Sequence, residues 1–304
     1  SPAQRPGKQK QISGEVCLYD IDYEAAKANE ELGNKLSESP DCLGKWHYTV
    51  KKTLKEALTD ADFVVISILP GTFDEMESDV HAPEKYGIYQ SVGDTVGPGG
   101  ILRGMRTIPT YMEFAKAIAS CCPKAWVISY TNPMSVCTSA LYRVFPEIKA
   151  FGCCHEVFST QHLFTRMIEE KYGIRDINRE EIILNVMGIN HFTWFDRVSW
   201  KNIDLVPLYA EFAEKYAETG FAVDEAELDP ENYFRNINKV GFDLFRQFHL
   251  IPVSGDRHIS EFLPPWYLKD IDNLEKNWGF VLTPVSYRKK NRERLIRLSA
   301  DYRS

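Results

Sequence analysis

Short apolar segments that alternate with helical segments restrict the fold of this chain more than any other feature of its sequence. The apolar segments occupy about 14–20, 63–69, 125–130 and 148–152, and helices are predicted between them over about 23–36, 54–58, 108–120 and 133–144. Strands joined by helices in this way form right-handed βαβ units. The alternation therefore predicts an α/β fold with a parallel, doubly wound, Rossmann-like sheet.

The pattern changes after residue 152. A long helix is predicted over about 159–172 and a strand pair over about 182–188 and 192–199, which is typical of an α+β region. We therefore expect a dinucleotide-binding domain at 1–155 and a smaller α+β domain at 156–304. The first eleven residues are polar and include a single glycine, Gly7. The sheet is therefore expected to lack its first strand and the glycine-rich phosphate turn.

The composition is typical of a globular chain in a reducing compartment. No apolar run reaches the roughly 20 residues of a membrane-spanning helix, and no signal peptide opens the chain. The seven cysteines include vicinal pairs at 121–122 and 153–154 and do not resemble a secreted disulfide scaffold. With a net charge of −7, we expect a soluble, cytoplasmic protein without nucleic-acid or membrane partners. The basic run at 288–297 is predicted to be a solvated helix face.

Two acidic positions near predicted strands are candidates for ligand binding. Asp20 ends the first strand, where a dinucleotide-binding fold places the carboxylate that contacts the ribose hydroxyls. An N-cap role explains Asp20 or Asp22 equally well. Asp94 lies in the segment 91–100, whose four glycines predict an irregular, ligand-lining loop, with a plain surface loop as the alternative.

Polar residues at the ends of later strands could contact a ligand or a metal. Asn132 precedes Pro133, the predicted first residue of a helix, and is therefore expected at the N-cap and at the carboxyl edge of the sheet. Cys153, Cys154 and His155 follow one strand and His191 lies in a separate segment, and a thiolate with an imidazole from separate segments can bind a divalent ion. A helix cap, a buried cysteine and a core histidine are the respective structural alternatives.

Four motifs occur in the order seen in one family. They are Tyr-Thr-Asn-Pro at 130–133, Gly-Cys-Cys-His at 152–155, Gly-Ile-Asn-His-Phe-Thr-Trp at 188–194 and the glycine-rich loop at 93–100. With them the segment 16–287, including 254–262, resembles the family 4 glycoside hydrolases, most closely their α-galacturonidase branch and next their α-galactosidases. Because members of that family extend well beyond residue 304 with further helices, we expect the chain to be incomplete at both ends.

The resemblance implies roles for particular residues. Cys154 and His191 would ligate Mn²⁺ or a related divalent ion, and His155 would be the acid that assists the leaving group. Asp256 is the best match to the family's base, with Tyr267 a weaker candidate. The implied cofactor and substrate contacts come from eight residues, with Asn132 in both sets: Asp20, Pro70 and Asn132 for NAD, and Asp94, Arg103, Asn132, Asn190, Arg257 and His258 for the substrate. A uronic acid needs a cationic partner for its carboxylate, for which Arg103, Arg106, Arg257 and His258 are the candidates.

The resemblance also implies a mechanism without the usual pair of opposed carboxylates. NAD would take a hydride from C3 of an α-galacturonide, the metal would polarise the resulting ketone, and a base would remove the C2 proton. Elimination of the glycosidic oxygen, addition of water and return of the hydride would complete the cycle. The family further implies a homodimer or homotetramer. A disulfide between Cys153 and Cys154 would remove a metal ligand, so activity is expected to need reducing conditions.

Other functions stay open at this point. Within the same family, an α-galactosidase is the alternative. From other classes, a 2-hydroxyacid dehydrogenase would share a related NAD-binding sheet, and a truncated binding or assembly module would bind substrate without turnover.

Overall fold

A computed structural model describes residues 12–40, 42–224 and 232–303 of the protein. Its first half alternates strands and helices in the order β1 (Gly14–Leu18), α1 (Tyr23–Ser37), β2 (Trp46–Val50), α2 (Leu54–Leu58), β3 (Phe63–Ile66), α3 (Phe73–His81), α4 (Gly97–Cys121), β4 (Trp126–Ser129), α5 (Met134–Val144) and β5 (Lys149–Gly152). Strand β1 pairs in parallel with β2, and β3, β4 and β5 form a second parallel ladder. The predicted α/β class with Rossmann-like parallel strands is confirmed.

Strand β2 was not predicted from the sequence. Its five residues alternate between apolar and polar, which is the pattern of a half-buried strand, so the sequence carried a short signal that the prediction missed. The tertiary structure stabilises it through Tyr48, which is buried against α1. Gly33 permits this contact, because a Cβ at that position would lie 2.6 Å from Cγ of the Tyr48 ring.

Helix α4 begins eleven residues earlier than predicted, at Gly97 instead of about residue 108. The segment 91–100 is therefore irregular only as far as Val96. Glycine disfavours a helix in isolation, but packing overrides that preference here. A Cβ on Gly99 would lie 2.5 Å from the carbonyl oxygen of Gly93, and one on Gly100 would lie 2.4 Å from the carbonyl carbon of Thr95. The glycines thus bring the helix start against the loop that carries Asp94.

The helix caps also differ from the prediction at one place. Asp22 caps α1, where its side chain accepts a hydrogen bond from the backbone N–H of Ala25 at 3.0 Å. Helix α5 begins at Met134, with Pro133 at the N-cap after a cis peptide bond. Asn132 is therefore not the capping residue, and its side chain is available for contacts at the edge of the sheet.

The second half has the predicted α+β character. Its elements are α6 (Glu156–Tyr172), β6 (Ile182–Ile189), β7 (Phe192–Trp200), β8 (Ile203–Asp204), α7 (Val206–Lys215), α8 (Lys239–Phe248), β9 (Ile251–Pro252), α9 (Asp256–Ser260), α10 (Pro264–Tyr267), α11 (Leu274–Trp278) and α12 (Val285–Arg303). Strand β7 is antiparallel to β6, β8 and β9. Its buried side chains pack with α6, α7 and α8 around Phe164, Phe195 and Phe212. Within the described ranges, no helix is both long and apolar enough to cross a lipid bilayer.

Candidate functional site

Two loops bring a thiol and an imidazole together. Cys154 follows β5, just before α6, at the carboxyl edge of the parallel strands. His191 lies in the tight turn between β6 and β7, with φ of +61°. The Cys154 Sγ and the His191 Nε2 are 3.6 Å apart. Two ligands bound at about 2.3 Å and 2.1 Å from one tetrahedral ion would be separated by about the same distance.

Thr95 sets the orientation of the His191 ring. Its hydroxyl donates to Asp94 Oδ1 at 2.7 Å and lies 2.8 Å from His191 Nδ1. Because the single hydroxyl proton points to Asp94, Thr95 accepts from Nδ1–H, which leaves the lone pair of His191 on Nε2, facing Cys154. This is the tautomer that binds a metal through Nε2, and the pairing is of the kind that orients metal-ligating histidines. The sequence analysis assigned no role to Thr95.

Glu156 is a second residue whose role was missed. Its Oε1 accepts hydrogen bonds from the backbone N–H of His191 at 3.3 Å, Thr193 Oγ1 at 3.0 Å and Asn190 Nδ2 at 3.3 Å. Burial raises the pKa of Glu156. Its Oε2 is buried and has no hydrogen-bond partner among the described residues. Glu156 thus holds the His191 turn through Oε1, and one of its carboxylate oxygens lies within 4.8 Å of ligand atoms of Cys154 and His191.

Asp94 and His258 extend the cluster on the other side of His191. The His191 and His258 rings lie 3.8 Å apart at an interplanar angle of 34°. Burial alone would raise the pKa of Asp94, but His258 and Arg103 outweigh burial and lower it to about 2. Burial lowers the pKa of both histidines, to about 3 for His258. Asp94 is therefore anionic and both imidazoles are neutral at pH 7, the forms in which all three can ligate a cation.

The donor set fits a divalent cation. Ligand atoms of Cys154, Glu156 and His191 lie within 4.8 Å of one another, as do those of Asp94, His191 and His258. Besides Glu156 Oε2, the buried atoms Asn190 Oδ1 and His258 Nδ1 have no hydrogen-bond partner in the described part of the chain. Mixed sulfur, nitrogen and oxygen ligands suit a first-row transition metal. Unsatisfied buried polar atoms are costly, and an ion or a substrate hydroxyl would satisfy them.

Further predicted substrate residues lie around Asp94. Asn132 Nδ2 donates to Asp94 Oδ2 at 3.2 Å, and Arg103 Nε donates to the backbone carbonyl of Asn132 at 3.0 Å. Asn190 and His191 are consecutive in the β6–β7 turn, and the backbone N–H of Asn190 donates to Ser135 Oγ at 3.2 Å. The structure thus brings Arg103, Asn132 and Asn190 close to Asp94 and His191.

The residues predicted to contact NAD lie at one edge of the parallel strands. Asp20 follows β1, Pro70 follows β3 and Asn132 follows β4. The Asp20 side chain is exposed, and its Oδ1 accepts from the backbone N–H of Asp22 at 2.9 Å. Dinucleotides bind outside the carboxyl ends of strands in open α/β sheets, so this edge fits the ribose side of such a cofactor.

The predicted acid and bases have different surroundings. His155 is exposed, and its Nδ1 lies 3.3 Å from Ser159 Oγ. Asp256 is only 2% exposed; its Oδ1 accepts from the backbone N–H of Gly241 at 3.1 Å, and it belongs to neither group of metal-ligand atoms found among the described residues. Tyr267 is buried and donates to Asp243 Oδ2 at 2.8 Å. Burial raises the pKa of Tyr267, which disfavours the phenolate that a base requires.

The four candidates for a carboxylate partner are not equivalent. Arg106 pairs with Asp79, so it already has a carboxylate. Arg257 donates to the carbonyl oxygens of Tyr233 and Ser91 at 2.7 and 2.9 Å. His258 is half-buried, and desolvation lowers its pKa, so it is neutral at pH 7. Arg103 has no ion pair in the described ranges.

Glu261 supports the loop that carries Asp94 and Thr95. Its Oε1 accepts from the backbone N–H groups of Val92 and Gly93, both at 2.6 Å. Burial raises the pKa of Glu261 to about 8. Between pH 4.5 and about 8 the Glu261 carboxyl is protonated in the folded state and ionised in the unfolded state. The free energy of unfolding therefore has its full contribution from this group below pH 4.5 and loses it as the pH rises towards 8.

We expect the Glu261→Gln variant to remove this pH dependence, since glutamine accepts the same two hydrogen bonds without titrating. The free energy of unfolding of the wild type, relative to that of the variant, is expected to fall by up to about 1.4 kcal/mol per pH unit between about pH 5 and pH 8. Denaturant unfolding at several pH values measures the difference. Parallel curves for the two proteins would contradict a protonated Glu261.

Sequence comparisons place this site among known proteins. Residues 7–170 match the profile of the family 4 glycosyl hydrolases, and residues 186–303 match that of their C-terminal domain. The α-galacturonidase of Thermoanaerobacterium saccharolyticum is 56% identical over 293 residues, which are 96% of this chain and 63% of that protein. The α-galacturonidase of Bacillus subtilis is 53% identical over 283 residues, 93% of this chain and 61% of that protein. The chain thus spans a little over 60% of the length of these relatives.

Solved structures agree with these sequence matches. The structure of the Bacillus subtilis protein lplD has a TM-score of 0.92 and 49% identity, and it is matched by 99% of this chain over 67% of its own length. A 6-phospho-α-glucosidase from gut microorganisms, solved with NAD and Mn²⁺, has a TM-score of 0.72 at 23% identity, over 95% of this chain and 61% of that one, and shares the fold. From the two profile matches and the identities above 50%, the chain belongs to the family 4 glycosyl hydrolases.

Proposed function

We propose that the protein to which this chain belongs hydrolyses α-galacturonides with NAD and a divalent metal such as Mn²⁺. The single observation that carries this proposal is the pairing of Cys154 Sγ with His191 Nε2 at 3.6 Å, beside buried Asp94 and half-buried His258. The substrate is supported by 53–56% identity to four α-galacturonidases, compared with 30% to the α-galactosidase of Bacillus subtilis.

The two parts of the chain would have separate tasks. Residues 1–155 would bind NAD along the edge that carries Asp20, Pro70 and Asn132. Residues 156–304 would supply His191, Asn190, Arg257 and His258 to the metal and the sugar. The cysteines are all free, including Cys153 and Cys154, which supports a reducing, cytoplasmic environment. We further propose a homodimer or homotetramer, which a monomeric mass in light scattering would contradict.

The side chains of this site would hold the metal and the sugar together. Cys154 and His191 would ligate the cation, with the His191 tautomer set by Thr95. Asp94, Asn132 and Asn190 present oxygen and nitrogen atoms suited to sugar hydroxyls. When bound, NAD exchanges a hydride with C3 of the sugar, and the cation stabilises negative charge on the oxygen at C3.

Two residues are proposed to move protons. Since Nδ1 of exposed His155 lies near Ser159, Nε2 is the nitrogen that would donate a proton to the departing glycosidic oxygen. Asp256 is retained as the proposed base that removes the proton from C2. It precedes Arg257 and His258 in α9, so the same short helix would bring the base and substrate contacts to the sugar.

The test is hydrolysis of p-nitrophenyl α-galacturonide by the intact protein, with NAD, Mn²⁺ and a thiol reductant added together or omitted singly. Cleavage is expected only when all three are present, because the metal needs the Cys154 thiolate and a Cys153–Cys154 disulfide would remove it. In D₂O, deuterium is expected at C2 of the product, and the Asp256→Asn variant is expected to abolish that exchange.

Three outcomes would contradict the proposal in different ways. Cleavage of p-nitrophenyl α-galactoside but not of the galacturonide would keep the mechanism and change the substrate. Net accumulation of NADH with a 2-hydroxy acid and no added metal would indicate a dehydrogenase. Binding of the galacturonide without turnover would indicate a non-catalytic module.

A further inference from the structure

The sequence analysis placed Arg288 in a basic run on a solvated helix face, and the structure corrects this for Arg288. The first turn of α12 is docked against α3 by two contacts. Val285 is buried with Met76 and Val80, and Lys289 Nζ pairs with two acidic side chains of α3. These contacts fix the direction in which the intervening Arg288 side chain leaves the helix. Its Nε is fully buried.

Arg288 and Arg257 lie beside the same aromatic ring. The Arg288 Cζ is 5.7 Å from the centroid of the Phe234 ring, and the Arg257 Cζ is 5.4 Å from it. The Tyr287 ring packs on Tyr233 and Phe234, with centroids 4.9 and 5.8 Å away, and keeps the ring in place. Cation–π contacts of this kind stabilise a guanidinium but do not neutralise its charge.

Among residues 12–40, 42–224 and 232–303, neither guanidinium forms an ion pair with an acidic side chain. Arg257 donates to two backbone carbonyls. For Arg288, no ion pair and no side-chain hydrogen bond is found in the described ranges, and its buried Nε donates to no protein atom there. The neighbouring Lys289, by contrast, reaches Asp74 and Glu77, both at 2.5 Å. No acceptor in the described part of the chain therefore occupies the planar donor set of the Arg288 guanidinium, which can bind a ligand.

Arg288 lies beside the proposed substrate site because it shares the Phe234 ring with Arg257, which precedes His258 in α9. Burial lowers the pKa of Arg288, Asp94 opposes that shift and Arg103 reinforces it. Both of these groups belong to the cluster around His191. A partly buried cation that lacks a counter-ion is destabilising, and an anionic ligand at the same place removes that cost. This arrangement is typical of an anion-binding subsite, here next to the candidate metal ligands Asp94, His191 and His258.

We propose that Arg288 binds the carboxylate of the galacturonide and is a specificity-determining residue that distinguishes uronides from neutral galactosides. This proposal rests on the proposed function. A planar guanidinium can bind both oxygens of a carboxylate at once, whereas the CH₂OH group of a galactoside offers neither the charge nor the second acceptor.

The test compares Arg288→Met and Arg288→Lys with the wild type on p-nitrophenyl α-galacturonide and p-nitrophenyl α-galactoside. We expect Arg288→Met to lower kcat/KM for the galacturonide by roughly 10- to 100-fold, through a higher KM, and to leave any galactoside rate within about threefold. Arg288→Lys retains the positive charge but loses the planar, bidentate donor set, so its kcat/KM for the galacturonide is expected to lie between those of the wild type and Arg288→Met. The matched control is Arg292→Met, an exposed arginine of the same helix, which is expected to change neither rate.

A binding measurement separates this proposal from the proposed function. In thermal-shift titrations with NAD and Mn²⁺ present, D-galacturonate is expected to stabilise the wild type at lower concentration than D-galactose, and Arg288→Met is expected to abolish that preference. The role of Arg288 would be wrong if Arg288→Met lost thermal stabilisation equally with both sugars, or if the wild type showed no preference for D-galacturonate. If Arg288→Met hydrolysed the galacturonide as well as the wild type does, the role of Arg288 would be wrong and the proposed function would stand. If the wild type hydrolysed only the galactoside, the proposed function would be wrong.

Discussion

The Cys154→Ser variant is expected to lose at least about 100-fold in affinity for Mn²⁺ and, with it, metal-dependent glycoside cleavage. A serine hydroxyl does not ionise near pH 7 and cannot replace a thiolate as a ligand. His191 would then lack the partner that lies 3.6 Å from its Nε2. Calorimetric titration of the metal-free protein with Mn²⁺ measures the loss directly, without reliance on turnover.

Cys153→Ser is the matched control for this prediction, because it makes the same substitution one residue away. Cys153 belongs to neither group of metal-ligand atoms among the described residues. The variant is expected to bind Mn²⁺ within about threefold of the wild type, and to be protected from inactivation by thiol oxidants because no vicinal disulfide can form. The ligand assignment would be wrong if Cys153→Ser lost the metal and Cys154→Ser kept it.

The Gly188→Ala variant is expected to show the largest loss of stability among the substitutions considered. Gly188 has φ of +98°, and a Cβ there would lie 2.3 Å from the backbone oxygen of Phe192 across the β6–β7 ladder. Backbone strain and forced separation of the two strands are each expected to cost about 1–3 kcal/mol. Because this ladder ends in the His191 turn, Mn²⁺ affinity is expected to fall as well.

Gly173→Ala provides the control for backbone strain without a clash. Gly173 also has positive φ, at +68°, as the C-cap of α6, but a Cβ there would meet nothing within 4 Å. Gly173→Ala is expected to lower the free energy of unfolding by about 1 kcal/mol and to leave Mn²⁺ binding unchanged. Denaturant unfolding midpoints of the two variants give the comparison; equal losses would mean that the approach of Phe192 does not constrain Gly188.

Strands and helices whose residue pattern spans the whole element were predicted more accurately than the positions at which helices begin. The parallel strands at 63–69 and 125–130 were identified because each is an apolar run bounded by turn or polar residues. The start of α4 was missed because its glycines disfavour a helix, whereas β2 was missed although its residues alternate as in a half-buried strand. Tyr48 stabilises β2 by packing on Gly33, and the glycines of α4 are required by the close approach of Gly93 and Thr95. In both places the deciding contact is distant in sequence, or is formed with backbone alone.

The sequence by itself determined the order of strands and helices, the segments that carry Cys154, His155 and His191, and the family resemblance. These follow from local apolar periodicity and from short motifs, which are readable along the chain. Only the tertiary structure decided which side chains share one site. It brought Thr95 and Glu156 to His191, paired Arg106 with Asp79, and placed Arg288 beside Arg257 at the Phe234 ring. Charge and hydrogen bonding act over a few ångströms in space, and a linear pattern does not contain those distances.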